Sequence, residues 1–328
     1  MKKITFYVFC LFLATFVLFS CKKGGVKIKV DNFSNGKAGE VVLVLDQKYA
    51  SEFALNYIME ALTQPQPALN QIEPMFDVLQ FDNKEFTSHF QRHRNIVQFE
   101  INPNFASNTL NIDENVWSSP QVHVYFRGNN MDSLLSLFVE NENEIIKSLY
   151  DNDLKRVQYY ASSNNDAVIE KKIKEKFDIK MTIPATYNVA REEEDFMWLR
   201  FKTTRNDRFI IIYKTQGNDL SKQGLIAARN EITKDYIPGA VKGAYPVVNE
   251  EPPFPLYTDN VNVGAITGAE LRGLWKCEGD YMGGPFYNFS FIDKTGENVI
   301  SIGGFVYAPE EEKRDYLREV EAVVKSVK

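Results

Sequence analysis

The sequence predicts an α+β protein made of two sheet-plus-helix subdomains, with mostly antiparallel strands in the C-terminal half. Three observations predict it. Apolar residues make up 44% of the chain and charged residues 25%, so a sizeable core is expected rather than disorder. Short apolar or alternating runs are interleaved with stretches of helical spacing. Strand signals then crowd the second half, where two hairpin-like runs flank the turn Asp293-Lys294-Thr295-Gly296. With 24 Phe and 16 Tyr, the packing between sheets and helices should be rich in aromatic rings.

The N-terminus is read first because it decides where the chain goes. Lys2 and Lys3 precede an apolar run over residues 4–19, the layout of a secretory signal. That run is short of the roughly 20 residues a membrane-crossing helix needs. It ends in Leu18-Phe19-Ser20-Cys21, which resembles a lipobox, with Phe19 bulkier than the small residue usual there. Cleavage before Cys21 and acylation of that residue would make the membrane a partner, since several acyl chains at about 0.8 kcal/mol per buried methylene bind firmly. An uncleaved anchor, or an ordinary signal beside a chance cysteine, are the alternatives. The expected organisation is a signal over residues 1–20, lipidated Cys21 and a tether over 21–38, an N-terminal α/β subdomain over 39–178, and a C-terminal antiparallel α+β subdomain over 179–328. Lys22, Lys23, Gly24 and Gly25 lack the acidic residues that mark surface-exposed lipoproteins, which points to a periplasm-facing envelope protein.

Along the exported part, residues 40–46 (EVVLVLD) predict a buried strand. Ser51 caps a helix carrying Ala54, Tyr57, Ile58, Ala61 and Leu62 at helical spacing. Prolines make residues 64–74 an extended loop, and a strand follows over 75–81. Asp82 with Glu85 suggests a capping box for a helix bearing Phe86 and Phe90. Strands are expected at 96–101 and 121–126, then a long helix from Asn130 or Asp132 with Leu134, Phe138, Ile145 and Leu149 on one stripe. Residues 152–166 read as a polar connection before a short helix carrying Ile169, Ile173 and Phe177. The second half predicts strands at 179–183, 196–203, 208–213, 243–248, 286–292 and 299–307. It also predicts a helix over 220–236 and a final helix opened by Pro309 with Glu310, Glu311 and Glu312 at its positive end. This order argues for mostly antiparallel sheets, each covered by helices on one face, and against a doubly wound parallel sheet.

Charge and cysteine content exclude several classes. The net charge is −6, and basic residues are dispersed among acids, so nucleic acid is not an expected partner. Cys10 leaves with the signal, Cys21 is modified and Cys277 remains alone, so no intrachain disulfide is expected. Alternation in 271–277 places Leu271, Trp275 and Cys277 on one strand face and Arg272, Leu274 and Lys276 on the other. Glu85, His89 and His93 stand four apart and could bring two imidazoles and a carboxylate to one helical face. HExxH is absent, however, and no metal or other cofactor is expected. No G-x-S-x-G elbow, phosphate loop or C-x-x-C occurs.

The densest feature is the stretch 272–286, where an aromatic strand enters a loop with three glycines, one proline and two carboxylates. Gly283 and Gly284 permit close backbone approach, and Arg272 with Asp280 would suit a small ligand or peptide. The candidate binding residues are Arg272, Trp275, Asp280, Met282, Gly283 and Gly284, joined by His93, Arg94 and Trp117 if the two halves share a pocket. Alternatively the glycines supply positive φ and Asp280 caps loop amides in a tight connection. Glu278 and Asp280 could act as acid and base, although carboxylates two apart on a strand rarely oppose each other across a substrate.

Taken together, Gly39–Val44, the prolines of 64–67 and 73–77, His93–Ile96, Val116–Gln121, Ile183–Tyr187, Tyr236–Gly239, Arg272–Phe286 and Phe305–Pro309 resemble the uncharacterised Bacteroidetes lipoproteins grouped as domain of unknown function 4837. The resemblance implies an envelope lipoprotein and brings no activity, cofactor or catalytic residue with it. The element order of the second half is also similar to the antiparallel α/β sandwich of PsbP-like and Mog-type proteins. The expected function is therefore a lipid-anchored, non-enzymatic binding or scaffold module whose partner is an envelope protein or small ligand. A hydrolase of envelope glycans or peptides, and a purely structural envelope protein, are the alternatives.

Overall fold

The computed structural model describes residues 32–328; the expected signal, Cys21 and residues 22–31 of the expected tether lie outside the described residues. Strand β1 (Glu40–Val44) is a continuous apolar run buried between layers. Helix α1 (Glu52–Leu62) follows, with Ser51 Oγ accepting from the Ala54 amide at 3.2 Å and Ala54, Ile58, Ala61 and Leu62 turned inward. Strands β2 (Asp77–Phe81), β3 (Asn95–Ile101), β4 (Thr109–Glu114) and β5 (Val122–Gly128) complete a sheet of order β2-β1-β3-β5-β4.

In this first sheet β1 runs parallel to β2 and β3, and β3 parallel to β5, so only β4 is antiparallel. The expectation of mostly antiparallel sheets fails here. The reason lies in the succession strand, helix, strand over residues 40–81: a helical crossover returns the chain to its starting end, so the next strand must run parallel.

Two helix expectations are corrected. The helix foreseen after Asp82 is broken into one 3₁₀ turn, Asn83–Glu85, and a four-residue helix α2 (Ser88–Gln91). The Asp82–Glu85 capping box closes only the first turn, and Phe86 and Phe90 instead fold onto Phe81, Val42, Val44 and Ile96 on the sheet face away from α1. Conversely, helix α3 (Met131–Ser163) runs through the segment read as a polar connection. Asn152, Asp153 and Arg156 there are interior groups with partners. Asp153 accepts from Arg94 at 3.1 Å, Arg318 at 2.9 Å and the Gly39 amide at 3.0 Å. Asn152 donates to Arg94 O and Asn95 Oδ1, and Arg156 bonds Ser34 while lying over the Phe33 ring. Residues 32–38, the described part of the expected tether, are thus packed: Phe33 bridges Ser119, and Asn35 bridges His93.

After helix α4 (Ala167–Phe177), residues 179–183, with Ile179, Met181 and Ile183 buried, belong to no named strand; Lys180 exchanges backbone hydrogen bonds with Lys328. The second sheet comprises β6 (Asn188–Glu193), β7 (Phe196–Lys202), β8 (Asp207–Gln216), β9 (Tyr245–Asn249), β10 (Leu256–Val263), β11 (Ile266–Glu278), β12 (Gly283–Ile292) and β13 (Asn298–Tyr307). Its order is β10-β11-β12-β13-β8-β7-β6 with β9 beside β11, antiparallel throughout, as expected for this half.

Helices cover both faces of this sheet, not one. Helix α4 and the last helix, α6 (Arg314–Val324), pack on Met197, Leu199, Ile210, Ile212 and Ile302. Helix α5 (Lys222–Tyr236) and the chain after it pack on Phe196, Phe209, Ile211, Tyr213, Trp275 and Phe305. Alternation along β7 and β8 produces this division, because successive side chains point to opposite faces. Helix α6 begins later than Pro309 suggested. Its first free amides, those of Lys313 and Arg314, donate to the buried Glu73 carboxylate at 2.7 and 2.8 Å, so a residue of the first half caps a helix of the second. Residues 32–328 accordingly form one compact unit.

Candidate functional site

The nine residues singled out from sequence do not converge. Arg272 points to the α6 face, where it bonds Glu321 at 2.7 Å and lies over the Tyr287 ring. Glu321 is completely buried and also receives Tyr150 Oη and Lys325, the latter at 3.0 Å. Burial opposes charge on both Arg272 and Glu321, but each offsets this for the other. The Glu321 carboxyl is consequently held down to about 2, and the Arg272 guanidinium is raised above its ordinary range. Arg94 belongs to the Asp153–Arg318 network in the same interior. His93 sits between Glu40 Oε2 at 3.2 Å and Asn95 O at 3.3 Å; burial pushes its imidazole below the ordinary value despite the Glu40 contact. Trp117 packs against Phe86 and His123 on the far face of the first sheet. These four hold the fold together and open onto no common pocket.

Trp275 faces the other way, as the alternation predicted. Its indole crosses β12 and donates to Val306 O on β13 at 3.0 Å. Gly284 makes that crossing possible, since a Cβ there would collide with Val306 O and stand 3.2 Å from Trp275 Nε1. The glycine serves close approach, with ordinary strand backbone. Gly283 has the same role, with a Cβ falling 2.9 Å from Trp275 O. Asp280 lies in the β11–β12 turn, where its carboxylate accepts from the Tyr281 amide at 2.7 Å beside Gly279 at φ +82°.

A cavity of about 310 Å³ opens on this α5 face. It is lined by Trp275, Cys277 and Met282 of β11 and the turn after it, and by Trp198, Arg200, Asp207, Phe209 and Phe305 of β7, β8 and β13. The segment Ile237–Ala240 and Pro246 close the remaining side. The rings make a continuous arc: Trp198 to Phe209 at 5.9 Å, Phe209 stacked on Phe305 at 4.5 Å, and Phe305 edge-on to Trp275 at 5.7 Å. Arg200 Nη2 and Asp207 Oδ2 are 2.6 Å apart. Three polar atoms of these lining side chains, Trp198 Nε1, Arg200 Nε and Asp207 Oδ1, are buried without a hydrogen-bond partner. Each such atom costs about 1–3 kcal/mol when left unpaired. Together with the aromatic rings this is the composition of a ligand site, mostly apolar with a few polar side chains.

The same geometry bears on chemistry. Burial first, and then Asp280 and Glu278, raise the Cys277 thiol, which keeps it protonated, and the three histidines all belong to the first half. Glu278 is exposed, and neither it nor Asp280 lines the cavity. Among the described residues no group of three His, Cys, Asp or Glu side chains could hold a metal ion. His89 and His93, whose spacing could have brought them to one helical face, are parted, with His89 exposed and His93 buried. A second cavity of about 280 Å³ lies on the α6 side, lined by Tyr160, Tyr187, Phe201 and the Arg208–Glu319 pair, and contains none of the residues foreseen.

Sequence reasoning found Trp275 and Met282 but missed Trp198, Arg200, Asp207, Phe209 and Phe305. A signal was available. Phe196, Trp198 and Arg200 alternate on one face of β7, and the short connection from Lys202 to Asp207 brings Asp207 and Phe209 of β8 beside them.

Fold and cavity define an α+β protein with a ring-lined pocket on its antiparallel sheet. The family comparison is consistent with the resemblance noted in the sequence and narrows its extent: residues 166–326 match the domain of unknown function DUF4837, and residues 34–161 match a different one, DUF8532. The chain therefore carries a DUF4837 domain, which contains the cavity, and the first-half motifs fall within the second family's match. No curated protein matches the chain. Among solved structures, a mutant of the protein Mog1 is similar at 9% identity and TM-score 0.29, covering 46% of this chain and 89% of that one. A Bacteroides thetaiotaomicron protein follows at 12% and 0.25, covering 46% and 44%. The human StarD13 (DLC2) lipid transfer and protein localization domain stands at 9% and 0.23, covering 48% and 94%. Scores this low carry no argument.

Proposed function

We propose that the chain is a lipid-anchored, periplasm-facing envelope protein whose second half is a non-enzymatic binding module, with the α5-face cavity as its site. The observation that carries the binding reading is the cavity itself: an arc of four aromatic rings beside an ion pair, with three buried, unpartnered polar atoms on the side chains that line it. Catalysis has no comparable support, because Asp207 is held by Arg200 and the thiol lacks a base. The anchor rests on the lysines, apolar run and Cys21 of the N-terminus.

Two experiments test the two parts separately. Cys21→Ala should move the protein from the membrane to the soluble fraction with an unchanged melting temperature; retention in the membrane would replace the lipid anchor by an uncleaved one. For binding, ring-sized compounds are screened by thermal shift against the parent and against Ala240→Trp, which fills the cavity mouth. Ligands should stabilise the parent in proportion to RT ln(1 + [L]/Kd) and leave the filled variant unmoved. A screen with no shifts, or equal shifts in both proteins, would remove the cavity as the site.

A further inference from the structure

The cavity also defines the chemistry of what it holds; this inference rests on the binding reading just given. Its only charged side chains are Arg200 and Asp207, and these neutralise each other at 2.6 Å. The remaining walls are Trp, Phe, Ile, Pro, Gly, Ala, Met and the Cys277 thiol. A net-charged ligand would lose its hydration here and meet no unpaired counter-charge, at a cost of several kcal/mol. The ligand is therefore uncharged.

Its polar groups follow from the unpaired atoms. Trp198 Nε1 and Arg200 Nε can only donate, and Oδ1 of the Asp207 carboxylate, whose Oδ2 pairs with Arg200, accepts. All three are occluded from solvent in the present packing, so a ligand reaches them through a small rotation of Arg200 or Trp198, both half-buried. Satisfying two donors and an acceptor that lie along one pair of strands calls for groups that both accept and donate, set around a single rigid frame. Hydroxyls on a saturated ring meet this, and the C–H face of such a ring packs on an indole. The volume of about 310 Å³ is at the low end for ligand pockets and fits one ring with its substituents, not an extended chain.

We propose that the cavity recognises a single neutral pyranose unit, with the Trp198 ring as its platform and Arg200 and Asp207 as its hydroxyl partners. Terminal or branch sugars of an envelope glycan and free monosaccharides share this chemistry.

The test is isothermal titration of the full exported chain with five methyl glycosides (glucoside, galactoside, mannoside, xyloside and N-acetylglucosaminide). Comparison probes are phenyl phosphate, free phenylalanine, N-acetyl-phenylalanine amide and cyclohexanol. At least one glycoside should bind saturably, with affinity reduced tenfold or more in Trp198→Ala and in Asp207→Asn. Trp198 is half-buried and Asp207 buried, so a circular-dichroism melt checks that each variant folds. If cyclohexanol or the blocked amino acid binds and no glycoside does, the cavity is a binding site and the sugar assignment is wrong. Binding of phenyl phosphate in preference to the glycosides overturns the neutrality argument, and preferential binding of free phenylalanine, a zwitterion with no net charge, overturns the sugar assignment. If no probe binds, the binding reading falls along with the sugar. A reducing oligosaccharide that binds more tightly than its best methyl glycoside supports a glycan source over a free monosaccharide.

Discussion

Replacing Glu321 by Gln keeps the shape of the side chain and removes the one carboxylate on which Arg272, Lys325 and Tyr150 converge. The group is completely buried, so solvent does not screen it. Burial alone would raise its carboxyl, but Arg272 and Lys325 hold it from 4.5 down to about 2, which corresponds to about 3 kcal/mol of folding stability. Because the folded value lies below the unfolded one, that stability is fully present above about pH 4.5 and is lost as the pH falls toward 2. Removing one partner of a buried pair costs about 3–5 kcal/mol, since Arg272 is left without its carboxylate while Lys325 keeps Glu270 at 3.1 Å. At about 2–4 °C per kcal/mol, the melting temperature of Glu321→Gln should fall by at least ~6 °C at pH 7. The deficit should shrink as both proteins are melted at successively lower pH through the range from 4.5 to 2. The double variant Glu321→Leu with Arg272→Met should recover much of the loss, as apolar replacements of buried pairs do. A Glu321→Gln protein melting within 1 °C of the parent at pH 7 would refute the view that this carboxylate is an ionised anchor.

Three other outcomes follow from specific contacts. Gly284→Val should displace the Trp275 indole from Val306 O and cost about 1–3 kcal/mol by overpacking, seen as a lowered melting point with an altered near-ultraviolet dichroism band; an unaltered band would contradict the crossing geometry. Glu73→Ala removes the acceptor of the Lys313 and Arg314 amides and should cost about 1–2 kcal/mol in urea unfolding, whereas a neutral effect would mean that α6 is capped otherwise. The Cys277 thiol, buried and raised, should react with a two-ring, anionic aromatic disulfide reagent at pH 8 only after denaturant is added; full labelling of the folded protein within minutes would show that the cavity admits this larger reagent to its thiol.

Legibility varied with how local the determining physics was. Strand β1, helix α1 and the β12–β13 hairpin were readable because continuous apolar runs, a Ser cap and an Asp-Lys-Thr-Gly turn act within a few residues. Strands β4 and β6 escaped notice because edge strands are polar, as TLNIDE and NVAREE show. The last turns of α3 were hidden for the opposite reason. Asn152, Asp153 and Arg156 look like loop residues until Arg94, Arg318 and Ser34, distant in sequence, are seen to receive them. The site was half legible: the aromatic and glycine density of 272–286 located Trp275 and Met282, and alternation correctly set Trp275 apart from Arg272. That separation is also what dissolves the proposed cluster, since residues three apart on a strand face opposite layers.

The claim that matters most is that the α5-face cavity is where this chain binds its ligand, and its three tryptophans provide a direct reading. Trp198 and Trp275 line the cavity, while Trp117 lies in the first half against Phe86 and serves as an internal control. In a ¹H–¹⁵N spectrum each gives one indole N–H cross-peak, assigned by single Trp→Phe variants. Titration with the compounds that stabilise the protein should move the Trp198 and Trp275 peaks along saturable curves and leave Trp117 in place. Stabilising compounds that shift Trp117 alone, or none of the three, would place the binding site elsewhere.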